Sequence, residues 1–346
     1  MANTLKFGNG QWGTKVGSAL AYNDEDGNFK PLPFNFTRST SGTRINKDGL
    51  IEVVTNNKPR IDFLNDSNGA LLLEPTRSNL FPYSSDYNQT DWSKFNVTIE
   101  SNSTISPDGG LNSYKFLEQV DSANGHFMFD NLGLTPSVEY NFSIFVKKLN
   151  RRYVALQNSY NTGNGSIAFF DLDTESLVYT YSTGTVGTFV VSDAKIEKYP
   201  NGWYRLSATF ESTASTGVLP SLVLADTQWT TGFSYNNLYT GDVTKGIYVW
   251  GAQLEQGSYA TSYIPTQGAI ATRVADETIA NLPSSTIGQS EGVLYFEGSY
   301  FDTSEQGYIE LSDGGNANRI IVWNVSASSL RAFIEEIGRA SCRERV

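Results

Sequence analysis

Between Ser137 and Glu255 apolar and polar residues alternate with a period of two. In "SVEYNFSIFVKK", Tyr140, Phe142, Ile144 and Val146 fall on one face. In "RYVALQNSY", Val154 and Leu156 share a face, with Tyr153, Ala155 and Gln157 opposite. "GWYRLSATF" sets Tyr204, Leu206, Ala208 and Phe210 against Trp203, Arg205 and Ser207. "GIYVWGAQLEQG" groups Tyr248, Trp250, Ala252 and Leu254, with Gln253 and Glu255 opposite. Strict alternation with one apolar face predicts antiparallel strands. The segments "NTGNG", "YPNG" and "YTGD" supply the turns between them. The fold class expected is all-β: an antiparallel β-sandwich (jelly roll) with a β-rich N-terminal adaptor and a partial second sandwich.

The pattern divides the chain. Residues 1–74 read as an adaptor, in which "GLIEVVTNNKPRIDF" predicts strands at Leu50–Val54 and Arg60–Phe63, and "ALLLEP" is a short apolar run closed by Pro75. Residues 75–265 form the sandwich, long enough to enclose its own core. "PTQGAIATRVADETIANLP" reads as a linker over 266–283. "EGVLYFEGSYF", "QGYIELSDG", "NRIIVWNVSA" and "SLRAFIE" then supply strands over 284–335, too few to close a sandwich of ordinary size.

Charge narrows the function. The formal net charge is −11 over 346 residues, with no basic stripe, which argues against nucleic-acid binding. No apolar run reaches the roughly 20 residues that span a bilayer, so no membrane insertion is expected. "MANTLKFGNGQWG" lacks the apolar core of a secretory signal, so synthesis and assembly are expected in a cytoplasm.

Catalytic signatures are sparse. His126 is the only histidine, so any Ser-His-Asp or Cys-His arrangement would run through it. Its plainer reading is a strand or loop residue with no special role. "GNGQWG" lacks the Lys-Ser/Thr that completes a phosphate-binding loop. Paired carboxylates are the remaining catalytic device, with Asp171, Asp173, Asp226, Asp242 and Glu255 among the candidates. "FFDLDTES" also has alternate acidic residues that suit calcium, although it lacks the glycine and distal glutamate of an EF-hand loop.

"FTRSTSGTRINKDGLIEVV", "KPRIDF", "LLLEPTRSNLF", "GWYRLSATF", "VWGAQLEQGSYATSYIPT" and "ATRVAD" occur in that order. Together they resemble phage tail-fibre and head-spike-fibre proteins. The resemblance implies that the middle segment is similar to a jelly-roll carbohydrate-binding module. It also implies that the segment after "TRVAD" resembles the opening of a concanavalin-like or laminin-G-like domain. It further implies a virion location, other virion proteins as partners, a homotrimer, and a host surface glycan as ligand. No cofactor is expected. The one metal it admits is a structural calcium, which such modules often hold.

The last residues, "EIGRASCRERV", differ from everything before them. Read back into codons, they match a common short-read sequencing adapter, so residues 336–346 are taken as a translated adapter. They carry three arginines against two glutamates. Setting them aside moves the charge from −11 to −12 and removes the only cysteine, Cys342.

Sugars are bound by flat aromatic faces beside hydrogen-bonding side chains. Trp203 and Arg205 lie opposite the apolar set, and Tyr153, Gln157 and Gln253 occupy equivalent non-core positions, as do Phe145 and Lys147. Trp229 and Tyr235, in "DTQWTTGFSYNN", suit a loop rim. The expectation is a non-catalytic glycan-binding fibre protein. The alternatives are a polysaccharide depolymerase built on paired carboxylates and a bacterial surface adhesin.

Overall fold

The computed structural model describes residues 35–121, 123–161, 164–184, 188–213, 219–234 and 236–279, and strands at 12–15, 18–23, 29–31, 308–312, 319–326 and 329–335. The chain divides into two units, Met1–Gln289 and Ser290–Val346.

In the first unit, β1 (Trp12–Lys15), β2 (Ser18–Asn23) and β3 (Phe29–Pro31) form a three-stranded sheet. Short pieces follow: β4 (Asn35–Thr37), β5 (Gly42–Ile45), β6 (Ile51–Val54), β7 (Arg60–Asp62), β8 (Ala70–Leu72) and β9 (Arg77–Asn79). The expected strands near 50–54 and 60–63 are present but do not pair with each other. β6 pairs with β5, and β7 with β8.

Twelve strands then build the sandwich. They are β10 (Trp92–Phe95), β11 (Val97–Glu100), β12 (Tyr114–Glu118), β13 (His126–Asp130), β14 (Tyr140–Lys148), β15 (Tyr153–Asn161), β16 (Asn164–Asp171), β17 (Ser176–Thr183), β18 (Phe189–Tyr199), β19 (Trp203–Ser212), β20 (Leu219–Ala225) and β21 (Gly246–Gln256). The front sheet has the order β10-β13-β20-β15-β16-β17 and the back sheet β11-β12-β21-β14-β19-β18. The pairings are antiparallel, giving the jelly-roll-like sandwich that the alternation predicts. Tyr140, Phe142, Ile144, Val146, Val154, Leu156, Leu206 and Phe210 fill the space between the sheets. Asn201 and Gly202, at φ 60° and 75°, turn the chain from β18 into β19.

One strand departs from the expected phase. Tyr248 and Trp250 do not share the inner face with Ala252 and Leu254; Ile247 and Val249 do. Gly251 sits at φ 60°, and pairing jumps from Ser143↔Gln253 to Phe145↔Trp250. That is a β-bulge, in which two residues oppose one, so the side chains before it exchange faces.

Two expected boundaries also change. The segment read as a linker contains β22 (Ala271–Arg273), paired with β9, and β23 (Glu277–Ile279), paired with β4. The described part of the adaptor is not separate either: Ile45 and Ile51 pack against Phe145, Trp203 and Trp250 on the outer face of the back sheet. Short, polar, glycine-rich strands look like a tether in sequence because their burial comes from partners far along the chain.

In the second unit, β24 (Tyr308–Ser312), β25 (Arg319–Ser326) and β26 (Ser329–Glu335) form an antiparallel meander. The expected strand in "EGVLYFEGSYF" and the 336–346 tail lie outside the described residues.

Candidate functional site

The residues singled out for sugar binding fall on two opposite outer faces. Trp203, Arg205 and Gln253 project from the back sheet, and Tyr153 and Gln157 from the front sheet. Trp229 lies on the loop after β20, and Tyr235 is outside the described residues.

The back face is sealed. Trp203 has no exposed surface, and its indole donates to the Ile105 carbonyl at 3.0 Å. The Arg205 guanidinium donates to the Thr261 carbonyl at 2.7 Å and to Ser143 Oγ at 2.9 Å, and it lies over the Phe145 ring. Gln253 is buried and accepts the Ile264 N–H at 2.6 Å. The expected open patch is therefore absent at these three positions. Alternation shows that a side chain points away from the sandwich core; it does not show that the side chain meets water.

An ionic network ties down the layer over this face. Arg60 pairs with Glu74 at 2.7 Å and also with Asp276, Arg38 pairs with Asp276 at 2.8 Å, and Arg273 pairs with Glu74 at 3.0 Å. All five side chains are at most 1% exposed. Burial pushes the Glu74 carboxyl up, but Arg273 and Arg60 outweigh it and hold it at about 2. Ser262 adds its N–H and hydroxyl to the same carboxylate. Deeper in the layer, burial pushes the Glu255 carboxyl up, opposed by its hydrogen bonds from Thr261. Charges this dry must be paired, and the carboxylate oxygens are taken by protein donors. The five residues come from "FTRST", "KPRIDF", "LLLEP" and "ATRVAD", so motifs read as family signatures meet at one structural knot.

The front face is different. Paired residues place Phe95, Phe127, Val223, Ala155, Phe169 and Tyr179 in one row across all six strands. The loop after β20 lies on the middle of this row. Trp229 packs on Phe169 at 5.1 Å between ring centres, and Phe233 meets Tyr181 at 5.2 Å. Gln157 accepts the Ser234 N–H at 3.0 Å, and Tyr179 donates to the Gly232 carbonyl at 3.3 Å. Trp229 and Gln157 are therefore buried, contrary to the exposed roles expected of them. Trp229 serves as the loop's anchor.

Beside that loop an aromatic flank stays half-buried. The rings of Tyr153 and Tyr179 stack on Phe169 at 5.7 and 5.2 Å, with interplanar angles of 26° and 21°. Arg152 lies over Tyr153 at 4.9 Å and reaches Asp171 through two hydrogen bonds. Of the expected residues among the described ones, Tyr153 and Lys147 retain a partly open surface. Tyr179, Tyr181 and Arg152 were missed, although "LVYTYST" alternates tyrosines in the manner of a half-exposed strand.

The candidate carboxylates are spoken for. Asp171 is held by Arg152 and accepts the N–H groups of Asp173 and Thr174, which is turn chemistry. Asp173 pairs with Lys148. Asp242 accepts from Thr244, and Asp226 from Thr227. Elsewhere, burial chiefly, together with nearby Asp91, pushes the Asp130 carboxyl up to about 6, and its Oδ2 has no partner. His126 is buried, stacked on Tyr239 at 4.4 Å, with its titration lowered by burial. Tyr239 in turn donates to Glu118, which also binds Arg151, so this end of the sandwich is a closed structural cluster. Among the described residues no group of three or more histidine, cysteine or acidic side chains is placed to hold a metal ion.

No family profile matches the chain, and no curated protein matches it. Among solved structures, the CBM22-1 and GH10 modules of Clostridium thermocellum endo-1,4-beta-D-xylanase 10B, complexed with xylohexaose, are similar over 55% of this chain. The match spans 30% of that chain, at 15% identity and a TM-score of 0.29, too low to transfer fold or function.

Proposed function

We propose that this chain is a non-catalytic glycan-binding protein, and that the front-sheet flank of Tyr153, Tyr179 and Tyr181 is its sugar platform. One observation carries the reading: two half-buried tyrosine rings are held nearly parallel on Phe169, with an arginine over one of them. Rings locked by packing lose little freedom when a ligand arrives. Their faces suit the C–H surface of a pyranose, and Arg152 supplies donors for its hydroxyls.

The wider setting, a phage fibre or spike that displays this sandwich to a host surface glycan, rests on the sequence motifs. Trimerisation and attachment to other virion proteins rest on the same motifs. In a trimer, weak sites gain by effective concentration. The test is a glycan array probed with the full chain and with a Tyr153→Ala/Tyr179→Ala double variant. Binding by the parent and loss in the folded variant is the expected result. Undiminished binding by the variant overturns this placement of the site.

A further inference from the structure

The loop between β20 and β21 lies over the front face, and its two halves are held in different ways. The first half is held by rings: Trp229 lies on Phe169 and Phe233 on Tyr181. In the second half, among the described residues from 236 to 244, only Tyr239 and Gly241 are buried, and both lie on His126. The Tyr239 ring stacks on the imidazole at 4.4 Å, with 29° between the planes. Gly241 passes so close that a side chain there would collide with the imidazole and with the Gln119 carbonyl. Tyr239 and Asn124 also exchange backbone hydrogen bonds at 3.1 and 3.3 Å.

This site suits a neutral His126. The Nε2–H donates to the Gln119 carbonyl at 3.3 Å, since a carbonyl can only accept. Nδ1 is then the bare ring nitrogen, buried and without a partner. A proton there would create a buried donor with nothing to receive it. Burial, the largest influence, lowers the ring's titration below its ordinary value of 6.5, and the surrounding charges do not reverse it. Glu118, on β12, attracts an imidazolium, but it already accepts from Arg151, from the Tyr239 hydroxyl at 2.7 Å and from the Asp242 N–H at 2.9 Å. Burial pushes the titration of that tyrosine up, so it stays neutral. Arg151, on the turn before β15, repels an imidazolium; Asp121 attracts one but is held by Asn124. Asp226 and Asp242, on the loop itself, face Arg151, and Lys245 faces Asp242.

We infer that this loop is an acid-opened cover: protonation of His126 expels residues 236–245 from the end of the front sheet. The Phe233 carbonyl accepts the Asn236 and Asn237 N–H groups at 2.9 and 3.1 Å, so the released segment pulls on the half that roofs Tyr181. What this uncovers bears on the sugar site and rests on the glycan reading; the release itself does not, and is measured without ligand. The closed loop favours the neutral ring. Closure is therefore complete above pH 6.5 and weakens as pH falls below it, by up to about tenfold per pH unit.

The test is hydrogen exchange of the untagged full chain at pH 7.5 and pH 5, read by mass spectrometry and corrected for the intrinsic effect of pH. Protection over 236–245 should fall by up to about thirtyfold at the lower pH, while β14 and β19 keep theirs. His126 is the sole histidine, so NMR follows its ring without ambiguity, and the loss of protection should track its protonation. His126→Phe keeps a ring on Tyr239 but takes no proton, so its protection should be the same at both pH values. If that variant does not fold, ring titration and exchange in the parent still decide. Equal protection of the parent at both pH values, a parallel loss in His126→Phe, or a ring that protonates while 236–245 stays closed would overturn the inference.

Discussion

The two outer faces of the sandwich start from the same alternating pattern and end differently. The back sheet turns Phe145, Trp203, Arg205 and Gln253 outward, and residues from both ends of the first unit close over them with a dry ionic knot. The front sheet turns Phe127, Tyr153, Ala155, Phe169 and Tyr179 outward, and a single loop covers the centre through Trp229 and Phe233. One face is sealed by charge pairs that span the unit; the other is partly roofed by rings that leave a flank open. A period-two strand specifies sidedness, and the long-range partner decides whether the far side is core or surface.

The largest effect should come from the back face. Asp276→Asn leaves Arg38 and Arg60 buried beside a neutral group, and breaking a buried pair in this way costs about 3 to 5 kcal/mol. Chemical denaturation should report that loss for the whole first unit. The same knot sets an acid limit. Because the Glu74 carboxyl falls from 4.5 to about 2 on folding, its contribution is complete above pH 4.5 and is lost as pH falls towards 2. The shift corresponds to about 3 kcal/mol. Glu74→Gln should flatten stability against pH in that window; an unchanged profile would show that the knot is not the acid-sensitive element.

Trp203→Ala should cost about 3 to 4 kcal/mol, because it empties a fully enclosed site and leaves the Ile105 carbonyl unpaired. If the front flank is the sugar site, the folded variant should bind glycan as the parent does. That result would separate the faces cleanly, since Trp203 looks like a sugar platform in sequence and is a keystone in the fold.

These cases mark how far the sequence could be read. Strand faces in β14, β15 and β19 follow directly from alternation. In β21 the reading failed at Gly251, where the bulge shifts the phase by one; an isolated glycine within a strand pattern was the available signal. The ionic knot was visible only as scattered motifs, because Arg38 and Asp276 are 238 positions apart and nothing local marks them as partners. Burial of Arg205 and Gln253 was unreadable for a related reason: both look like surface residues until their acceptors and donors at 261–264 are placed beside them.

A smaller effect is expected near the end of β13. Asp130 folds with its carboxyl raised from 3.8 to about 6, so folding favours its protonated form. Stability from this group is fullest below pH 3.8 and declines as pH rises through 6. Asp130→Asn should therefore raise stability by about 1 to 2 kcal/mol at pH 7.5 and leave it unchanged near pH 3.5. A variant less stable at both values would mean that the bond Asp130 accepts from the Asn131 N–H outweighs the cost of burying its charge.

The smallest change in stability should carry the sharpest information about function. Tyr153 is half-buried, and its described ring contacts are with Phe169 and with the Arg152 guanidinium. Tyr153→Phe keeps the ring and removes the hydroxyl; Tyr153→Leu keeps apolar bulk and removes the flat face. Both should shift stability by less than about 1 kcal/mol, since neither leaves a large cavity nor a buried polar group without a partner. If the front flank binds sugar by stacking, Tyr153→Phe should retain binding within a few-fold, whereas Tyr153→Leu should lose most of it. Loss in both variants would assign the interaction to the hydroxyl instead. Retention in both would remove Tyr153 from the site and leave Tyr179 and Tyr181, on the edge strand, as the ring faces to test next.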